Sequence, residues 1–351
     1  MDSLIINGGK KLIGDIPISG SKNACLPMMI ASLMTDEKMI LNNIPMLSDV
    51  KTLISILESL GANAVHIKNS LNLHTKEIIN HKASYDLVKK MRASFWVLAP
   101  LLAKSGYAEV SLPGGCAIGT RPIDLYLKMG ATIKIKNGYI IASAKKGLKG
   151  ASIKFPKISV GATENILIAA CFANGETKLK NCAIEPEVKD LVNFLKKIGC
   201  KIKWVGKRSL NIVGVDKFKP TTYKIIFDRI EAGTYIIASA ISGGSLKIKN
   251  IQPKYISTEI NLLRRMGIKI KRGKDYIKVF SPKKIKRINL TTKPYPGFPT
   301  DLQAQIIVLM TKAKGISTIK ENIFEKRFMH IPELKRMGAK INVRNNKAYV
   351  E

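Results

Sequence analysis

The chain has 351 residues, 46% of them hydrophobic, and carries 59 Lys+Arg against 25 Asp+Glu for a net charge of +34. The length exceeds one ordinary core and predicts two domains, while the absence of any run of about 18 apolar residues and of a basic, apolar start excludes a membrane span and a signal peptide. The lysines are scattered, with no basic block and no aromatic-basic interleaving, so the charge reads as compositional drift with anionic small ligands as its functional part. A soluble, cytoplasmic protein with no nucleic-acid and no membrane partner is expected.

The first distinctive stretch is Ser19-Gly20-Ser21-Lys22-Asn23. A Gly/Ser turn opening a helix offers backbone amides, the positive end of the helix dipole and the Lys22 ammonium, an anion site suited to phosphate or carboxylate. The alternative is an ordinary Ser/Asn cap beside a solvated lysine. From here one pattern recurs. An apolar helix rich in small residues (26–34, 93–104, 163–173, 232–241, 302–313) precedes a strand (38–44, 109–112, 176–181, 245–250, 315–320). A second helix then stops at a glycine, and an alternating stretch such as Ala131-Thr132-Ile133-Lys134-Ile135 follows, often with another behind it. The stops are Gly61, Gly130, Gly199, Gly267 and Gly338, each read as the left-handed residue that ends a helix. Their spacings of 69, 69, 68 and 71 residues define an internal repeat of helix, strand, helix, strand, strand. This period is longer than that of the usual solenoids and fits a small α/β subdomain copied several times.

In the second copy the junction after the strand reads Leu112-Pro113-Gly114-Gly115-Cys116-Ala117-Ile118-Gly119-Thr120-Arg121-Pro122. Other copies carry an ordinary connection there, Asn42-Asn43-Ile44-Pro45 or Asn181-Cys182-Ala183-Ile184. Glycines and prolines on both sides of one cysteine predict a surface loop with a reachable thiol. Arg121 and the glycine amides favour a thiolate or an anionic ligand beside it; the alternative is a hairpin turn that happens to hold a small residue. The other cysteines, Cys25, Cys171, Cys182 and Cys200, lie in apolar or mixed segments and read as core residues. Five cysteines without a Cys-x-x-Cys, and four histidines away from metal spacing, indicate no disulfide framework, no metal site and no cofactor.

Taken in order, Ser19-Gly20-Ser21-Lys22-Asn23-Ala24, Met91-Arg92-Ala93-Ser94, the cysteine loop with its Pro122-Ile123-Asp124-Leu125 sequel, Val160-Gly161-Ala162-Thr163, Asp228-Arg229-Ile230-Glu231-Ala232-Gly233-Thr234, Phe298-Pro299-Thr300-Asp301-Leu302 and Arg327-Phe328-Met329-His330-Ile331-Pro332 closely resemble the UDP-N-acetylglucosamine enolpyruvyl transferases. The resemblance implies an α/β fold of two lobes, each an inside-out α/β barrel of three repeated units with helices inside and sheets outside, of which five of six units are present. One lobe would span 22–228 with repeats one to three, and the other 1–21 plus 229–351 with repeats four and five.

The resemblance further implies transfer of enolpyruvyl from phosphoenolpyruvate to the 3'-hydroxyl of UDP-N-acetylglucosamine, the first committed step of peptidoglycan synthesis. Cys116 would be the acid, and the expected target of fosfomycin. Lys22, Asn23 and Arg121 would hold phosphoenolpyruvate, and Asp301 would take the hydroxyl proton. Arg92, Arg121, Pro122, Ile123, Asp124, Leu125, Lys157, Ser159, Val160 and Ile323 match positions that contact the UDP-sugar. Without the resemblance, Asp301 would be read as a helix N-cap. The family pattern continues with a sixth copy of about 65 to 70 residues that holds an Asp-Leu-Arg-Ala motif, and each copy buries part of its neighbour. A chain lacking it is expected to be less stable and weakly active or inactive. The rivals are a non-catalytic remnant that keeps a UDP-sugar site and the shikimate-pathway enolpyruvyl transferase; the Arg121-Pro122-Ile123-Asp124-Leu125 sequel speaks against the latter.

Overall fold

The structure, a computed structural model, describes residues 5–88, 91–112 and 123–351. Gly20–Ile226 form one compact unit, and the segment up to Ser19 with Phe227–Glu351 forms the other.

In the Gly20–Ile226 unit the helix Val160–Ala170 packs against both Lys22–Ala31 and Leu98–Ser105. From Ala24 to Ala31 every residue is buried, and from Ala162 to Ala170 likewise. A helix apolar on all sides, as Ala24–Ala31 is, is stable in water only inside a core, and Val160–Ala170 joins it there although it also buries Thr163, Glu164 and Asn165. The second helices of the copies, Ser48–Ser59 and Pro186–Lys197, bury one stripe each, Val50, Leu53, Ile56 and Leu57 in the first and Val188, Leu191, Val192 and Leu195 in the second. The sheets lie outside, and their strands alternate buried with exposed or half-buried residues, as in Glu176–Lys180.

Each helix-ending glycine has the expected left-handed backbone, with φ of 114° at Gly61, 83° at Gly130, 110° at Gly199, 94° at Gly267 and 93° at Gly338. Three predicted details change. The helices expected from 93 and from 302 open as 3-10 turns, Arg92–Val97 and Thr300–Leu302, before Leu98–Ser105 and Gln303–Met310. The central helix of the first copy starts at Lys22, four residues before the predicted 26. Most consequentially, each copy's sheet has a further edge strand, parallel to its first predicted strand, that the periodicity did not reveal. Lys82–Ala83 pairs with Tyr107–Ser111, Ser152–Lys154 with Glu176–Lys180, and Asn289–Thr291 with Ser317–Lys320. These segments of two or three residues are too short for a period. In the first copy the edge strand comes from far along the chain, Thr221–Lys224 lying against Met39–Asn42.

The second unit repeats the arrangement. Ile13–Pro17 runs parallel to Ser245–Lys249, which pairs with Tyr276–Phe280 and that in turn with Lys269–Arg272. Its helix Arg229–Ser242 is capped by Asp228, whose carboxylate accepts from the amides of Ile230 at 2.8 Å and Glu231 at 2.9 Å. Gly233 of this helix leaves room for Leu302, since a Cβ there would lie 2.4 Å from a Leu302 methyl. That close approach seats the Thr300–Leu302 turn on the helix. Within the same unit Arg229 and Glu259, both nearly sealed from solvent, face each other at 3.8 Å.

Candidate active site

The anion-site stretch begins with a backbone crossing that only glycine permits. A Cβ on Gly20 would stand 1.6 Å from the Asn43 carbonyl oxygen. Asn43 is itself held in the left-handed region at φ 65°, with its side-chain amide donating to the Ile225 carbonyl at 3.0 Å. Ser21 precedes the helix and donates its own amide to the Ile226 carbonyl at 2.8 Å. Its hydroxyl is buried, has no hydrogen-bond partner among the described residues and does not cap the helix. The ordinary-cap alternative therefore does not describe this turn. Nor is Lys22 simply solvated, because its ammonium lies 3.1 Å from the Asp49 carboxylate, on the first turn of Ser48–Ser59. Asn23 is half-buried beside it. No acidic residue of its own occupies the first turn of Lys22–Ala31, so the carboxylate at that end comes from Asp49.

The same unit holds a second group of predicted residues. Ser159 caps Val160–Ala170, its hydroxyl accepting from Ala162 at 3.3 Å, and Lys157 is exposed just before it. Gly161 lies flat on Trp96, where a Cβ would be 2.9 Å from the indole. The 3-10 turn Ile123–Met129 carries exposed Asp124 and buried Leu125, and it is tied to the Ser159 helix by Tyr126, whose hydroxyl donates to Asn165 Oδ1 at 2.7 Å. Asp124, Leu125, Ser159 and Val160 thus sit on elements joined by one buried hydrogen bond. Cys116, Arg121 and Pro122, and the side chains of Arg92 and Ile123, lie outside the described residues. The remaining cysteines are buried, as expected of core residues. Burial raises the Cys171 thiol well above its ordinary value and pushes Cys182 up to about 12, so neither is a thiolate at neutral pH.

The sequence reading missed a carboxyl cluster here. Glu164 is wholly buried in Val160–Ala170, and its carboxyl is raised well above the usual range, by burial first and then by the nearby Glu187 and Glu185. One glutamate in Val160–Ala170 and two at the start of Pro186–Lys197 gave no signal of their meeting.

In the second unit Asp301 stands in the Thr300–Leu302 turn without capping any helix. Arg327 donates to Asp301 Oδ1 at 2.8 Å. The N-cap alternative is thereby overturned: the carboxylate faces a guanidinium, half exposed, instead of folding back on helix amides. Ile323 follows Glu321, and the Ile323 amide donates to Glu321 Oε1 at 2.7 Å. Glu321 was missed as well, because nothing in a single buried acid's local sequence announces its partners.

This repeated helix-in, sheet-out construction defines the class of enolpyruvyl transferases. The enolpyruvyl transferase NikO from Streptomyces tendae superposes with a TM-score of 0.89 at 23% identity, over 99% of this chain and 83% of that one. EPSP synthase from Acinetobacter baumannii does so with a TM-score of 0.74 at 17% identity, over 99% and 83%. The family model for EPSP synthase (3-phosphoshikimate 1-carboxyvinyltransferase) matches residues 6–351. Among curated relatives, the UDP-N-acetylglucosamine 1-carboxyvinyltransferase of Pelagibacter ubique is 56% identical over 100% of this chain and 85% of its own length. The enzymes of that name from Rickettsia canadensis and Geotalea daltonii are 51% and 48% identical over the same shares. The chain belongs to the EPSP synthase family of enolpyruvyl transferases and, within it, to the UDP-N-acetylglucosamine 1-carboxyvinyltransferases. Among the described residues no helix is long and apolar enough to cross a membrane.

Proposed function

We propose that this protein transfers the enolpyruvyl group of phosphoenolpyruvate to the 3'-hydroxyl of UDP-N-acetylglucosamine and releases phosphate, the first committed step of peptidoglycan synthesis, in the cytoplasm. The observation that carries the reading is the 56% identity to the Pelagibacter ubique enzyme over the whole of this chain. Asp301 takes the proton of the 3'-hydroxyl as its oxygen bonds to C2 of phosphoenolpyruvate, and Cys116 delivers a proton to C3. Loss of a C3 proton and rupture of the C2–phosphate bond then restore the double bond. Lys22, Asn23 and Arg121 hold the phosphate and carboxylate. Arg92, Arg121, Pro122, Ile123, Asp124, Leu125, Lys157, Ser159, Val160, Asp301 and Ile323 hold the nucleotide sugar.

The Asp301–Arg327 pair supports the base role. A guanidinium on Oδ1 orients the carboxylate and leaves Oδ2 for a hydroxyl. At Lys22, an ammonium at a helix N-terminus whose own first turn holds no acid supports the phosphoenolpyruvate role. The epoxide antibiotic fosfomycin alkylates Cys116 in this reading. The test is phosphate release from phosphoenolpyruvate with UDP-N-acetylglucosamine, for the chain and its Cys116→Ala variant. Release that is weak, depends on both substrates and vanishes in the variant is expected; release that survives the substitution would remove Cys116 from the reaction.

A further inference from the structure

We propose that Glu321 is a positioning residue for this transfer, clamping the turn of the base Asp301 to the turn of the nucleotide-sugar contact Ile323; the proposal rests on the reading above. Glu321 is 3% exposed and accepts four hydrogen bonds. Its Oε2 takes the Thr300 hydroxyl at 2.9 Å, immediately before Asp301. Its Oε1 takes the amides of Ile323 at 2.7 Å and Phe324 at 3.2 Å, and the Thr292 hydroxyl at 2.8 Å. Thr292 is fully buried and accepts in turn from the Asn322 amide at 2.9 Å.

A buried carboxylate is costly unless its oxygens are satisfied, and charge-assisted bonds to several donors are the strong kind that meet that cost. Here the donors come from the Asp301 turn, the Ile323 turn and Thr292, which follows the strand Asn289–Thr291 paired with Ser317–Lys320 and is itself bridged to Phe298. One oxygen serves the Asp301 turn and the other chiefly the Ile323 turn. Together with Arg327, Glu321 therefore holds the spacing between the proton acceptor and a nucleotide-sugar contact, which a transfer reaction needs held within a fraction of an ångström. Arg327 completes the arrangement from the loop that follows Ile323, reaching Asp301 at 2.8 Å.

Replacing Glu321 by alanine would strand four donors and disrupt both turns, so the two hydroxyls are removed separately. Thr300→Val frees the Asp301 turn alone and is expected to lower kcat about tenfold, with KM for UDP-N-acetylglucosamine within about twofold of wild type. Thr292→Val loosens the Ile323 side and is expected to raise that KM several-fold with kcat within about twofold. Thr300→Ser, which keeps the hydroxyl, is expected to restore kcat. Circular-dichroism melts run beside the kinetics, because a purely structural role would lower the melting temperature of both valine variants without this split. Valine variants that match wild type, or that lower kcat and raise KM in parallel, would overturn the proposal for Glu321 alone. A wild-type chain that releases no phosphate would instead overturn the transferase reading, and with it any role of Glu321 in transfer.

Discussion

Replacing Gly20 with alanine tests whether the anion-site turn is dictated by backbone packing. The added Cβ would stand 1.6 Å from Asn43 O and 2.8 Å from Asn43 C, both main-chain atoms that no rotamer change can move. Asn43 has little freedom to retreat, since it is left-handed at φ 65°, and its side chain is bonded to Ile225 O at 3.0 Å. Relief must therefore shift the turn and weaken the Ser21 amide bond to Ile226 O, at 2.8 Å. Overpacking costs about 1–3 kcal/mol and a lost hydrogen bond about 0.5–1.5 kcal/mol, so a total of about 2–4 kcal/mol is expected. For a unit of about 200 residues this corresponds to roughly 4–16 °C in melting temperature. The two tryptophans, Trp96 and Trp204, both lie in Gly20–Ile226, so tryptophan fluorescence reads that unit alone. Gly8→Ala, with open space around its Cβ, serves as the control. Because the same shift displaces Lys22 and Asn23, kcat/KM for phosphoenolpyruvate is expected to fall about 100-fold. A Gly20→Ala protein that melts within 1 °C of the Gly8→Ala control would refute the reasoning.

Further expectations concern single groups. Tyr126→Phe removes a 2.7 Å bond to buried Asn165 and leaves its oxygen unmet, so the fluorescence-detected unfolding free energy is expected to fall by about 1–3 kcal/mol. For Glu164 the folded pKa is raised above the unfolded value of 4.5, so the native state binds the extra proton and stability declines as pH rises from there through the folded value. Glu164→Gln removes that decline, and its unfolding free energy from urea titration is expected to gain on wild type from pH 4 to 8, by at most about 1.4 kcal/mol per pH unit; a difference independent of pH would count against the buried carboxyl. His330 has the opposite sign, since burial lowers it below 6.5. Its contribution is complete above 6.5 and lost as pH falls through the folded value, so His330→Gln is expected to flatten the melting profile between pH 5 and 6.5. Iodoacetamide on the native protein is expected to label Cys116 and spare Cys25, Cys171, Cys182 and Cys200, all buried; mass-spectrometric adducts on those four before unfolding would contradict their packing.

The order of motifs from Ser19 to Pro332 carried the family, and the glycine period carried the repeat, because both are written in short stretches of chain. Gly61 or Gly338 terminates a helix through its own backbone freedom, a property that needs no knowledge of neighbours. The central helices were likewise readable, since Ala24 to Ala31 is apolar on every side and has nowhere to go but inside. Asp301 is the instructive failure of local reasoning. A Pro-Thr-Asp ahead of an apolar helix predicts a cap, and the residue turned instead to Arg327, 26 positions later.

Local sequence accounts for the repeating α/β unit and its helix ends, through side-chain periodicity and residues with intrinsic backbone preferences, and the order of motifs accounts for the family. Which distant segments meet was set by packing across the fold: Thr221–Lys224 completing the sheet of Met39–Asn42, Asp49 beside Lys22, Glu164 among glutamates of another helix end, and Glu321 between two turns. Such pairings depend on how whole layers pack, and a buried carboxylate or a short parallel edge has no local pattern to announce it. Its partners are selected by the cost of leaving a polar group unmet once the core has closed around it.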